Sequence, residues 1–121
     1  TLKILNSWYM DEYVSKHLGD ILIAIDEIDD FFVDSSKKYD EYLNDLKLRR
    51  AVERNIEIIG EAMNRILKSD TEITITNARK IVDTRNYVAH GYDSLLPDIL
   101  WSIVINHLPL LKKEVELLLQ K

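Results

Sequence analysis

Residues 52–66 read VERNIEIIGEAMNRI, and their spacing decides the fold class. Val52, Ile56, Ile59, Met63 and Ile66 recur at alternating intervals of four and three, the apolar seam of an amphipathic helix. Gly60 lies inside that seam. A glycine in a helix interior costs about 1 kcal/mol relative to alanine. The missing side chain therefore predicts a close approach by a neighbouring helix. Extended to both sides, the pattern predicts one long second helix over residues 40–68.

Toward the N-terminus, LGDILIAIDEIDDFFV (18–33) sets Ile21, Ile25, Ile28 and Phe32 on one stripe, with Asp20, Asp26, Glu27, Asp29 and Asp30 opposite. This first helix is expected to begin near Asp11. DSSKKY (34–39) carries turn formers and reads as a loop. Toward the C-terminus, SDTEI (69–73) breaks the seam. A third helix is expected over 74–90, with Thr74 or Thr76 as N-cap and with Ala78, Ile81, Val82 and Val88 inward. Gly91 reads as its stop. After a loop at 92–96, Pro97 suits the first turn of a fourth helix holding Ile99, Leu100, Ile103 and Val104. Pro109 is expected to interrupt it, and a last helix carries Leu111, Val115, Leu118 and Leu119. ITIT (73–76) alternates like a strand but has no partner. The reading is all-α: a single domain, residues 1–121, folded as an antiparallel bundle of four or five helices. The seam of the second helix exceeds what one bundle is expected to bury, which points to a homodimer.

Composition agrees. Of 121 residues, 46% are hydrophobic and 31% charged, a globular mixture. Three glycines and two prolines are too few for a many-turned β-fold. The chain has no cysteine, hence no disulfide, thiolate metal site or cysteine nucleophile. No apolar run approaches the length of a membrane span, and TLKILNSWYMDEY lacks a secretory pattern. The expected setting is cytoplasmic, without membrane contact. The net charge of −5 is uneven: −7 over residues 1–46, +3 over 47–90 and −1 over 91–121. A whole-chain basic footprint for nucleic acid is absent, but a local one on the middle segment is open.

The chemistry-bearing stretch is DTRNYVAHGY (83–92). Arg85 and His90 stand five apart, a weak signal alone. Asn86 and His90 are i and i+4, stacked on one helix face, where the amide can hold an imidazole tautomer. Arg85 lies about 140° around the helix from His90, so a two-fold-related helix is one way to complete a site. The two side chains suffice for RNA cleavage without a metal or cofactor. The imidazole takes the proton of a ribose 2′-hydroxyl, and the guanidinium binds the scissile phosphate and stabilises its growing charge. The products would be a 2′,3′-cyclic phosphate and a 5′-hydroxyl. A helix C-terminus favours positive charge, which suits an acid, and two copies of His90 across a dimer cover both roles.

The segment RNYVAHGY resembles the R-x4-6-H signature of HEPN-domain ribonucleases, and more narrowly the Arg-Asn-x-x-x-His-x-Tyr pattern of the HepT toxin family. RNIEIIGEAMNRI with Ile59-Gly60-Glu61-Ala62, and Pro97, Trp101 and Leu108-Pro109, are similar too, so the resemblance spans about residues 11–120. It implies a dimeric endoribonuclease toxin with Arg85 and His90 catalytic and Asn86 a polar support. It also implies an MntA-like nucleotidyltransferase antitoxin as partner, which would transfer AMP to Tyr92. A small target such as a tRNA end would reconcile RNA cleavage with the chain's acidity. That acidity favours a second reading, a non-catalytic module that docks a nucleotidyltransferase or presents its substrate.

Plainer roles are expected elsewhere. His90 can also cap the last carbonyls of its helix. Arg85 can pair with Glu57 or Glu61. Tyr92 can serve as a core aromatic with a polar tip. His17 and His107 lack metal-ligand spacing and read as surface or helix-end residues. Trp8, Tyr9 and Trp101 read as packing anchors rather than base-stacking platforms, and Arg49, Arg50, Arg54 and Arg65 as a solvated, ion-paired face, with guidance of RNA toward the cleft as the alternative. The acidic run 26–34 lacks a calcium-loop glycine.

Overall fold

The seam of residues 52–66 forms the central rod of the structure. In the computed structural model, which describes residues 2–32, 37–69, 72–90 and 96–120 with side chains from Glu12 onward, α3 runs Leu46–Lys68. Val52, Ile56, Ile59, Met63 and Ile66 are all at most 1% exposed within one chain. The seam is therefore satisfied without a second copy. Oversupply of apolar surface on α3 is no ground for a dimer.

Against α3 lies α1 (Leu2–Phe31), whose stripe of Ile21, Ile25, Ile28 and the following Phe32 is buried as expected. The two rods run antiparallel. Asn55 Nδ2 donates to the carbonyl of Ala24 at 3.1 Å, whereas Lys16 and His17 face Glu61 and Arg65. The backbone of α1 is helical from Leu2, well before Asp11, where the apolar stripe alone places its start.

Residues 40–68 are not one helix. A short α2 (Tyr39–Asn44) ends at Asp45, whose backbone is extended and whose carboxylate accepts the Leu48 N–H at 3.0 Å. Asp45 is thus the N-cap of α3, a role aspartate fills well. The ring of Trp101 packs against Phe32, Tyr39 and Tyr42, with centroids 5.3 to 5.9 Å apart. Tyr39 Oη also donates to Asp98. These neighbours make Trp101 the packing anchor expected of it. Tyr42 is fully buried, and its hydroxyl has no hydrogen-bond partner among the described residues. Burial is the main cause that pushes its ionisation well above the ordinary tyrosine range.

α4 spans Ala78–His90. It begins later than residue 74, and neither Thr74 nor Thr76 caps it. Asn77 adopts φ 58°, a left-handed conformation asparagine tolerates but a helix cannot contain. Its carbonyl accepts the Ile81 N–H at 3.0 Å. Ile81 and Val82 are buried, as the periodicity predicts.

The last rod is α5 (Leu96–Ser102), a π-helical turn (Ile103–His107) and α6 (Leu108–Leu119), joined without a break. Pro109 does not interrupt it. An α-helix would need the Pro109 N–H at the carbonyl of residue 105, where proline has no donor and its ring collides. The preceding turn widens instead. The Leu108 N–H reaches the Ile103 carbonyl, five residues back, and the rod continues. Among the described residues there is no strand. The architecture is an all-α bundle of long rods (α1, α3, α4 and the α5–α6 composite) with α2 as a short fifth piece. Among the described residues, no helix is long and apolar enough to cross a membrane.

Candidate active site

α4 meets α3 at Gly60. A Cβ built there would lie 3.3 Å from Arg85 Cβ, 3.4 Å from the Ile81 carbonyl oxygen and 3.7 Å from that of Val82. This is the close approach the glycine predicts, and it falls on Arg85 itself. One residue further along α3, Glu61 accepts a hydrogen bond from Arg85 Nη1 at 2.5 Å. Of the two glutamates considered as partners, Glu61 is the one engaged. Gly60 sets how closely the Arg85 backbone packs, and Glu61 sets where its guanidinium points. Arg85 keeps part of its side chain, 29%, in reach of solvent.

His90 closes α4 on a different side. With Asp83, Asn86 and Tyr87 it lines an open cleft of about 380 Å³. Asn86 and His90 are exposed and share this cleft, as their i, i+4 spacing predicts. Arg85 does not line it. One chain thus displays the guanidinium toward α3 and the imidazole toward solvent at the helix end. Asp83 and Tyr87 are cleft residues that the motif does not single out. Their spacing to His90 is the signal that finds them, because 83, 87 and 90, at intervals of four and three, trace one face of a helix.

Tyr92 and Gly91 lie outside the described residues, as do the side chains of Trp8 and Tyr9. Among the described residues no group of three or more His, Cys, Asp and Glu side chains is placed to hold a metal ion.

The family described as "Ribonuclease HepT-like" matches residues 21–118. The chain belongs to that family. Among its relatives is a Methanocaldococcus jannaschii protein named "Putative RNase MJ1380", 36% identical over 106 residues that cover 86% of this chain and 94% of the relative. A second from the same organism, "Putative RNase MJ0127", is 34% identical over 104 residues, 85% of this chain and 84% of the relative. "Putative RNase TTE0752" of Caldanaerobacter subterraneus subsp. tengcongensis is 31% identical over 84 residues, 69% and 75% of the two chains. No solved structure matches.

In this HepT-like chain two histidines stand apart from His90. His17 is not a surface residue: it is 4% exposed in mid-α1, with its ring edge-on to Tyr13 at 4.5 Å. Its Nδ1 has no hydrogen-bond partner among the described residues and lies 4.0 Å from Asp20. Burial, reinforced by Lys16 and Arg65, lowers its pKa and favours the neutral ring. His107 sits at the end of the π turn, 3.5 Å from the Asn77 amide, and burial lowers its pKa too. Of the arginines, Arg50 pairs with Glu53 at 2.8 Å, and Arg54 and Arg65 border a cleft with Glu57 and Glu61. The acidic run of α1 is partly tied down, with Asp26 on Lys112 at 3.0 Å and Asp29 on Lys37 at 2.8 Å.

Proposed function

We propose that this chain is the endoribonuclease toxin of a toxin–antitoxin pair, cleaving RNA without a metal through Arg85 and His90 in a homodimer cleft. One observation carries the reading. A histidine at a helix end shares an open cleft with an asparagine one turn back, on a helix whose arginine is seated by a glycine and a carboxylate. Membership of the ribonuclease HepT-like family supports it.

In the reaction, a neutral His90 accepts the proton of the ribose 2′-hydroxyl. The 2′-oxygen attacks the adjacent phosphorus, and the bond to the 5′-oxygen breaks. Water delivers a proton to that leaving oxygen and the imidazolium returns its own to solvent, so each cleft needs one His90. Arg85 stabilises the charge on the non-bridging oxygens as it grows, and Asn86 orients the imidazole. The products are a 2′,3′-cyclic phosphate and a 5′-hydroxyl. Because Arg85 and His90 face different sides of α4, a second α4 across a two-fold axis supplies the missing group.

Neutralisation follows from the same chemistry. An MntA-like nucleotidyltransferase transfers AMP from ATP to the Tyr92 hydroxyl, two residues from His90, and pyrophosphate leaves as the bond between the α- and β-phosphates breaks. The added phosphate competes with RNA for Arg85, and the nucleoside fills the cleft.

The test is induced expression with RNA-end mapping. His90→Ala and Arg85→Ala each abolish cleavage and growth arrest while the helical circular-dichroism spectrum is retained, and unchanged toxicity removes the assignment. Cleavage persists in excess chelator, and a magnesium requirement contradicts the mechanism. With a cognate nucleotidyltransferase and ATP, AMP mass appears on the peptide holding Tyr92, and its appearance elsewhere moves the regulatory site. The net charge of −5 favours a second reading, a binding module that docks a nucleotidyltransferase without cutting RNA. The same expression experiment separates the two, because a binding module leaves RNA intact.

A further inference from the structure

Beside the His90 cleft, between α4 and α5, runs a larger groove of about 650 Å³. The two share Asp83 and Tyr87 as walls. Along α4, residues 80, 83, 87 and 90 fall on one line at spacings of three, four and three. Lys80 thus stands about 15 Å from His90 on the same face, with Arg79 next to it. Tyr87, in the middle of the line, is 40% exposed. The opposite wall is apolar at Ile99 and Ile103 and carries the Asp98 carboxylate.

An aromatic ring between two cavities, an apolar floor and a pair of cations at the far end is the composition of a single-stranded nucleic-acid platform. The volume is within the range of small-molecule sites, about 300–1,000 Å³, enough for a base and its sugar. The carboxylates accept hydrogen bonds from ring and exocyclic N–H groups, as cytosine N4 gives to Asp. We propose that this groove holds the RNA segment next to the scissile phosphate, with one base on Tyr87 and a backbone phosphate about two nucleotides from the cut between Arg79 and Lys80. The RNA strand then runs along α4 from His90 to Lys80. The assignment rests on the nuclease reading for its direction, and on the groove alone for its affinity.

Binding and cleavage are measured separately. The full chain carrying His90→Ala is titrated with a short fluorescein-labelled single-stranded RNA of mixed sequence, followed by anisotropy. Adding Tyr87→Ala weakens binding about fivefold or more, the loss of one base stack, whereas Tyr87→Phe retains it. Replacing Arg79 and Lys80 by Gln lowers the salt slope by about 0.7 for each phosphate left without its cation. In the otherwise wild-type chain, Tyr87→Ala raises KM more than it lowers kcat. Equal binding by the Ala and parent chains, or equal loss in Ala and Phe, overturns the groove. If the wild-type chain still cleaves RNA in that case, the nuclease reading stands. Tyr87-dependent binding by a chain that never cleaves supports the groove and removes the nuclease reading.

Discussion

Gly60→Ala is the smallest change that tests how α4 is seated. The added methyl would sit 3.3 Å from Arg85 Cβ, against about 3.5–4.0 Å for relaxed carbon pairs, while the Ile81 carbonyl oxygen, at 3.4 Å, would be at ordinary contact. Both neighbours belong to the α4 backbone or its first side-chain atom, so neither can swing aside. α4 must move off α3 by a few tenths of an ångström. Alanine returns about 1 kcal/mol of helix propensity, while overpacking costs about 1–3 kcal/mol. The expected balance is a loss of about 0–2 kcal/mol. Gly60→Val pushes further atoms into the same interface and loses more. Urea midpoints should therefore fall in the order wild type, Ala, Val. Because Arg85 is the residue displaced, RNA cleavage by the folded Ala variant should drop more than its stability does; misplacements of about 1 Å cost up to about 10²-fold in rate. A Val variant as stable as wild type, or an Ala variant stabilised by the full propensity gain, would refute the close approach.

Met63 is fully buried on the α3 seam, so Met63→Ala should cost about 2–5 kcal/mol by urea unfolding. Glu61 is 53% exposed; Glu61→Gln should change stability by less than about 1 kcal/mol yet reduce cleavage, measured as kcat, because Arg85 loses its anchor. His17 and His107 have pKa values lowered from about 6.5. The unfolded chain therefore binds protons that the folded chain resists. Stability is complete above that value and declines as pH falls through it toward the lower folded pKa. Urea midpoints at about pH 7.5 and about pH 5 should show the decline, and His17→Leu should lessen it.

What the residue pattern reveals is whatever burial makes periodic. The stripes of α1 and α3 are legible one residue at a time because burial recurs at helical spacing along each rod, although α3 packs against both α1 and α4. Gly60 is legible because a helix tolerates a glycine there only for a reason of packing. Asp45 does not read as a break because helix-forming residues flank it on both sides, and only its capping geometry separates α2 from α3. The π turn is hidden because proline usually ends a helix, and the alternative of widening one turn depends on the packing of Ile103 and Val104 into the core. His17 misleads because residue type says little about a polar side chain set between Val14 and Leu18 on the buried face of α1. For the candidate site, spacing correctly brings Asn86 to His90. It does not say which glutamate holds Arg85.

The separation of Arg85 from His90 on α4 makes a further demand on the dimer. If each cleft takes its arginine from one copy and its histidine from the partner, the two inactive chains Arg85→Ala and His90→Ala should complement. In a heterodimer of the two, both lesions fall in one cleft and the other is intact. Random mixing gives about half heterodimers, each with one of two sites, or about a quarter of wild-type activity. If instead each chain used its own pair, every cleft in every mixture would carry a lesion, and no activity would return. The Arg85–Glu61 pair favours the first arrangement, because it fixes the guanidinium toward α3 while the imidazole cleft opens elsewhere. Cleavage by co-refolded mutants, with each chain alone as control, decides it. Absence of recovery in a mixture shown by native mass spectrometry to contain heterodimers would mean that a chain brings its own arginine to its own histidine, and α4 would then have to reorganise when RNA binds.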